Sequence, residues 1–318
     1  RRNAITLMTR GGRRRYDDVD GLLLLNKPPG MTSNRALQAV RRLLNAKKAG
    51  HTGSLDPSAT GMLPLCFGEA TKVCAYLLDA DKTYRVTARL GTATSTGDAD
   101  GGETIATAEV PDLSFEQWDE ILQGFKGESR QIPPMYSAIK QDGKRLYTLA
   151  RQGETVERKP RPVRVNEISL LEVAGARLVF RVNCSKGTYV RVLVEDIAKA
   201  AGTVGHTVHL HRESVGDFEG ADMVDLATVE ALAEEDRAAL IAGLLPPDQA
   251  LLELPAVTVA ADDGPKFSGG QALEAPDGAP EGLVRVYEAG GEFLGVGELS
   301  PKGRLAPRRV FKTSEKTL

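Results

Sequence analysis

Gly50-His51-Thr52-Gly53-Ser54-Leu55-Asp56-Pro57, continued by Ser58-Ala59-Thr60-Gly61, is a stretch that neither a regular helix nor a regular strand accommodates. Glycine supplies backbone angles that other residues avoid, and Pro57 restricts Asp56 to extended geometry. The result is a rigid loop that holds up one imidazole and one carboxylate, five positions apart. Read alone, it is a tight turn whose aspartate satisfies its own backbone amides.

Upstream, Gly21 to Leu25 reads as a short apolar strand, turned by Asn26-Lys27-Pro28-Pro29-Gly30. Thr32 or Ser33 then caps a helix with Ala36, Leu37, Val40, Leu43 and Leu44 on its apolar face. Downstream, Met62 to Phe67 is a second apolar strand, and a helix is expected from Glu69 to Leu78. Lys82 to Leu90 alternates strictly, with Tyr84, Val86, Ala88 and Leu90 facing one way, which makes a half-buried strand. Tyr84 taken singly is a core aromatic. Ser114 with Gln117 forms a capping box that opens a helix expected through Phe125.

Val163–Val173 and Arg177–Ser185 read as strands. Cys184-Ser185-Lys186-Gly187-Thr188-Tyr189-Val190-Arg191 then turns the second into a helix reaching Ala200. Tyr189 and Arg191 stand two residues apart at its start, on different faces. A surface ion pair would account for Arg191 alone. Asp98-Ala99-Asp100-Gly101-Gly102 suggests calcium but lacks the further ligands and closing glutamate of an EF-hand loop, so no metal is expected.

At 318 residues, with 33 Gly and 17 Pro, the chain suits one large turn-rich domain plus a small one. No run is long enough to span a membrane, and Arg1 to Arg10 lacks the apolar core of a signal peptide. Cys66, Cys74 and Cys184 form no CxxC pair, and reduced thiols in a cytoplasmic protein are expected. The net charge of −2 hides a strong asymmetry. Residues 1–15 carry six arginines and no acid, and residues 140–164 carry eight bases against three acids. Residues 213–253 hold eleven acids and one base. Clustered bases point to polyanion contact, whereas the acidic, Ala/Leu-rich helical region 224–245 would repel phosphate. Residues 1–20 are expected to form a flexible tail. Pro246-Pro247 and Pro255 mark a boundary, beyond which Val257–Val259, Leu283–Tyr287 and Glu292–Glu298 read as short strands.

The loop at Asp56 resembles the signature loop of the TruB-type tRNA pseudouridine synthases. Lys-Pro-Pro-Gly-Met-Thr-Ser at 27–33, Lys-x-Tyr-Arg-Val at 82–86 and the run from Cys184 to Arg191 resemble further motifs of that family, in the expected order. The resemblance covers Gly21 to Phe311. It implies an α+β fold: a catalytic domain over 21–250 built on a mixed, mainly antiparallel sheet, a thumb-like RNA-binding insertion at 128–160, and a small C-terminal PUA β-barrel at 255–313.

In that family the aspartate is the nucleophile, so the resemblance assigns catalysis to Asp56, with Arg191 paired to it and Tyr84 stacking on the target base and transferring a proton. It assigns His51 to the void left by the flipped base, and Tyr189 and Leu210 to the uracil pocket. The implied reaction is isomerisation of uridine 55 in the T-arm of tRNA to pseudouridine, by base flipping and without a cofactor. That agrees with a sequence holding no P-loop, no dinucleotide fingerprint and no metal-ligand cluster. The implied partner is the T-arm stem-loop of tRNA, with no obligatory protein partner, a monomeric state and an accessory tRNA-folding role open. Two rivals remain: a guide-RNA-dependent synthase of ribosomal RNA, and a non-catalytic RNA-binding protein that keeps the fold.

Overall fold

In the computed structural model, which describes residues 16–312 except positions 101, 138 and 142, the apolar run that starts at Gly21 becomes a buried strand. Strand β1 (Gly21–Lys27) lies antiparallel to β3 (Thr60–Phe67), with Leu22 opposite Cys66 and Leu25 opposite Leu63. Both are continuous hydrophobic runs, so both of their faces need covering. One face packs Leu23, Leu25, Leu63 and Phe67 against helix α1 (Ser33–Leu43) and the helical segment Leu226–Ala242. The other packs Leu22, Leu24, Met62 and Cys66 against Val73, Leu77, Phe218 and Leu251.

Seven further strands complete the sheet: β2 (Ala49–His51), β4 (Lys82–Leu90), β5 (Gly127–Gln131), β6 (Arg161–Ala174), β7 (Arg177–Cys184), β8 (Gly205–Val215) and β9 (Val224–Asp225). The order is β9-β1-β3-β8-β4-β7-β6-β5, with β2 also paired to β3. Pairings β9 with β1 and β8 with β3 are parallel, and the others are antiparallel. Alternation in β4 and β7 leaves one apolar side. There Val86, Ala88, Leu178 and Phe180 meet Trp118 and Leu122 of α2 (Phe115–Gln123) and Leu193, Val194 and Ile197 of α3 (Val190–Ala200).

The C-terminal sheet has five strands in the order Ala256–Val259, Gly282–Glu288, Phe293–Leu299, Arg304–Val310, Leu273–Glu274. It curls around Phe267, Val284, Val286 and Leu305, in a PUA-like half-barrel. Val296 and Phe311 reach into the core behind β1 and β3, which joins the two sheets.

The structure corrects several expectations. The helix expected at 69–78 is a 3-10 helix, Gly68–Val73, followed by a short α-helix, Cys74–Asp79. In a 3-10 turn residues three apart eclipse, which sets Lys72 over Glu69. Both then tie down the C-terminal segment, Lys72 donating to the Val310 carbonyl and Glu69 accepting from the Lys312 amide. Helix α2 ends at Gln123 rather than Phe125. Residues 127–131 and 161–165 pair within the main sheet, so the excursion at 128–160 leaves it only from 132 to 160.

The Arg-rich stretch 1–15 lies outside the described residues. Residues 16–20, expected within a flexible tail, are anchored instead. Val19 is buried, Asp17 pairs with Arg237, and Asp20 accepts from the Glu69 amide. No described helix is long and apolar enough to cross a membrane.

Candidate active site

Strands β2 and β8 share one edge of β3. His51 lies opposite Leu65 at one end and Arg212 opposite Gly61 at the other, and the Asp56 loop leaves the sheet through the break between them. Gly61 is required there. Its φ is +99°, and a Cβ would sit 2.2 Å from the Arg212 carbonyl oxygen. The loop is clamped from the N-terminal side. Ser33 Oγ accepts from the Leu55 amide (2.8 Å) and donates to the Leu55 carbonyl (3.2 Å), and the Gly30 amide donates to the Pro57 carbonyl. Lys27 is fully buried and donates to the carbonyls of Pro28, Met31 and Pro57. The Lys-Pro-Pro-Gly-Met-Thr-Ser string therefore holds the loop that carries Asp56.

Arg191, in the first turn of α3, reaches Asp56 with two nitrogens, Nε at 2.9 Å from Oδ2 and Nη2 at 3.4 Å from Oδ1. Its orientation is fixed by donation from Nη1 to the Thr96 carbonyl (2.7 Å) and from Nη2 to the Tyr136 carbonyl (2.8 Å). The arginine side chain is 6% exposed and the aspartate 37%, so the carboxylate is open to solvent with its counter-charge buried behind it. A forked, two-point contact of this kind fixes direction as well as charge. The neighbouring loop contributes Asp98, whose Oδ1 accepts from Thr96 Oγ1 and the Asp100 amide. Burial raises the pKa of Asp98, and Arg191 opposes that rise.

Tyr84 and Leu210 project from β4 and β8 onto the helix-packed side of the sheet, at the edge of the core formed with α2 and α3. Burial raises the pKa of the Tyr84 hydroxyl, while the nearby charge of Arg212 opposes that rise and Asp56 adds to it. Tyr189, the residue before α3, is locked through its backbone to the Gln131 side chain. Its hydroxyl is also raised, chiefly by burial, and it too senses Asp56. His51 has its Nδ1 buried with no hydrogen-bond partner among the described residues, and burial, then Arg212, lowers its pKa. Its ring is thus held in the neutral form at neutral pH.

The chain matches the family models for the TruB pseudouridylate synthase N-terminal domain over residues 41–190, the tRNA pseudouridylate synthase B C-terminal domain over 191–252 and the pseudouridine synthase II TruB C-terminal region over 255–311. It is 50% identical over 294 residues to tRNA pseudouridine synthase B of Nitrosococcus oceani, covering 92% of this chain and 95% of that protein. The Pseudomonas putida protein of the same name is 49% identical, covering 93% and 97%. The chain belongs to the TruB family of pseudouridylate synthases. Among solved structures, it superposes on a chain of an H/ACA RNP bound to a substrate RNA containing 2′-deoxyuridine, with a TM-score of 0.71, 23% identity and coverage of 96% and 93%. A chain of a Cbf5-Nop10-Gar1 complex gives 0.68, 26% identity and coverage of 93% and 84%.

Three basic residues of this TruB-family site were not singled out by sequence reasoning: Lys27, Lys82 and Arg212. Lys82 donates to the carbonyls of Leu77, Leu78 and Ala80, closing the turn before β4. Burial lowers both lysines to about 8. Arg212 is 1% exposed and donates to the carbonyls of Met62 and Gly53. The available signal was slight: Lys27 ends one strand, Lys82 begins another and Arg212 lies inside a third, bases of that kind are usually solvated, and only the tertiary contacts bury these three.

Proposed function

We propose that this protein isomerises uridine 55 in the T-arm of tRNA to pseudouridine, acting as a single chain in the cytoplasm. The observation that carries the reading is the two-point Arg191–Asp56 contact, with the carboxylate partly exposed and the hydroxyls of Tyr84 and Tyr189 close enough to sense its charge. The reaction cuts the N-glycosidic bond, turns the uracil and rejoins it to the ribose through carbon. Atoms are conserved, and no oxidant, reductant or energy donor is consumed.

A base within folded RNA must first leave its stack. The neutral ring of His51 supplies a planar filler for the vacated space. Asp56 acts as the nucleophile, aimed by Arg191. Tyr84 stacks on the extruded uracil and moves the proton that the isomerisation displaces. Phosphate contacts come from the bases between Lys140 and Arg164, which position the stem without reading its sequence.

The test is chemical mapping of pseudouridine on a T-arm stem-loop RNA with wild type and Asp56→Asn side by side. Conversion at the T-loop uridine by wild type alone supports reaction, substrate and nucleophile together. Absence of conversion with RNA binding intact rejects the reading in favour of a guide-dependent or purely RNA-binding protein.

A further inference from the structure

Tyr84 and Leu210 lie on the helix-packed side of β4 and β8, with Val86, Ala88 and Phe180. Successive side chains of a strand alternate, so the residues between them point to the reverse side of the sheet. Along β3 that reverse side carries Met62 and Cys66 and is closed by the core behind it. From β8 outward it carries Arg85 and Arg89 of β4, Arg177 and Arg181 of β7, and His209 and His211 of β8. All of these are exposed except His211, which is half-buried.

The pairing register sets these cations against one another. Arg85 lies directly opposite Arg181 on one side and His211 on the other, and Arg89 lies opposite Arg177. Directly opposed side chains have Cβ atoms about 4.5–5.5 Å apart, and like charges so placed are destabilising. Two of the four arginines are relieved locally: Arg181 pairs with Glu213 and Arg177 with Glu172. Arg85 and Arg89 have no ion pair and no side-chain hydrogen bond among the described residues. Glu167 lies beyond them, opposite Asn183. His211 is held by Thr60 Oγ1 through Nδ1 (2.8 Å), which fixes its ring beside Arg85. A bound anion would relieve this opposition. Arg85 and Arg89 stand four residues apart on one strand, about 13 Å. That span exceeds a single phosphate and suits a chain of them, whose geometry guanidinium groups match.

We propose that this reverse side of the sheet is a second RNA-binding surface, which holds the phosphates of a helical RNA segment through Arg85, Arg89 and His211. The sheet itself separates it from Tyr84 and Leu210, so RNA held here leaves the Asp56 site open. Side chains on a sheet cannot read the deep, narrow major groove of A-form RNA, so the contact is with backbone and recognises shape.

The experiment uses the full chain and a fluorescent A-form RNA duplex of about 16 base pairs that contains no T-loop. Affinity is measured by anisotropy against salt for wild type, Arg85→Gln/Arg89→Gln, and Thr87→Glu, which sets a carboxylate between the two arginines. It is measured again on Asp56→Asn protein saturated with unlabelled T-arm stem-loop. The stem-loop is expected to change duplex affinity less than about 3-fold. Both variants are expected to lose about 10-fold in duplex affinity. Arg85→Gln/Arg89→Gln should also flatten the slope of log affinity against log salt by about 1.4–1.8, each lost contact accounting for about 0.7–0.9. Its single-turnover conversion of the T-arm stem-loop should stay within about 2-fold of wild type. If that variant does not fold, Thr87→Glu carries the comparison.

Displacement of the duplex by the T-arm stem-loop, or affinity unmoved in the variants, overturns the second surface. Polyglutamate that competes as well as unlabelled duplex assigns the face to an acidic protein and overturns the RNA reading. A wild type that fails to convert the T-arm uridine rejects the substrate reading, while the response of duplex binding to Arg85 and Arg89 still decides this surface.

Discussion

Arg191 meets Asp56 with two nitrogens and anchors itself on the carbonyls of Thr96 and Tyr136, a fork that an ammonium cannot reproduce. Arg191→Lys is expected to lower the single-turnover rate about 10²- to 10³-fold with RNA affinity changed less than about 3-fold. A wild-type rate in that variant would remove the pair from the mechanism. The buried lysines make a different prediction. Lys27 and Lys82 fall from 10.5 to about 8, so between those limits the folded protein binds fewer protons than the unfolded chain. Their contribution to stability therefore rises with pH from about 8 and is lost as pH falls through that value. Cys184, raised from 9.0 to about 12 by burial, acts in the opposite direction above 9.0. The urea midpoint should climb between pH 8 and 9 in wild type and stay flat across that interval in a Lys27→Met/Lys82→Met protein.

At the scale of elements, the break along the edge of β3 depends on one glycine. Gly61→Ala sets a Cβ 2.2 Å from the Arg212 carbonyl oxygen at φ +99°, so β8 must move away from β3. The expected loss is about 3 kcal/mol or more by urea denaturation. Gly202→Ala shares the positive φ, +78°, but meets nothing within 4 Å, so it should lose only about 1–2 kcal/mol. Equal losses would place the whole cost in the backbone angle and none in the contact with Arg212. Elements with one dominant cause were legible: β4 from its alternation, α1 and α2 from their caps, α3 from its strand-glycine-helix transition. Strand β8 was not assigned as a strand, because bulges at Thr207/His209 and Arg212/Ser214 interrupt its alternation. The two-residue strand Leu273–Glu274 is too short to show any period.

For the whole molecule, a net charge of −2 says little about RNA, and the arrangement of charge says more. The excursion 132–160 places Lys140, Lys144 and Arg145 on a small hairpin whose helix, Leu146–Arg151, carries Tyr147 beneath the guanidinium groups of Arg145 and Arg151. If this hairpin lies on phosphate, Lys140→Ala/Lys144→Ala/Arg145→Ala should weaken stem-loop binding. It should also flatten the slope of log affinity against log salt by about 2, each lost contact accounting for about 0.7–0.9. An unchanged slope would take the hairpin off the RNA. The acidic segment Leu226–Ala242 packs instead on α1, behind β1 and β3, through Val229 and Leu240.

By itself the sequence determined the family, the order of most strands and helices, and the loop that presents Asp56. Those are local matters: glycine and proline angles, caps, and the period of apolar residues act within a few positions of the residues they shape. Only the tertiary structure decided that residues 27–33 clamp the loop, that residues 16–20 are anchored, and that Glu69 and Lys72 tie down the C-terminal segment. It also decided that Arg212, more than 150 positions from the loop, is buried beneath it. These are contacts between segments far apart in the chain. Whether a charge is solvated or buried depends on what folds over it, and no local pattern records that.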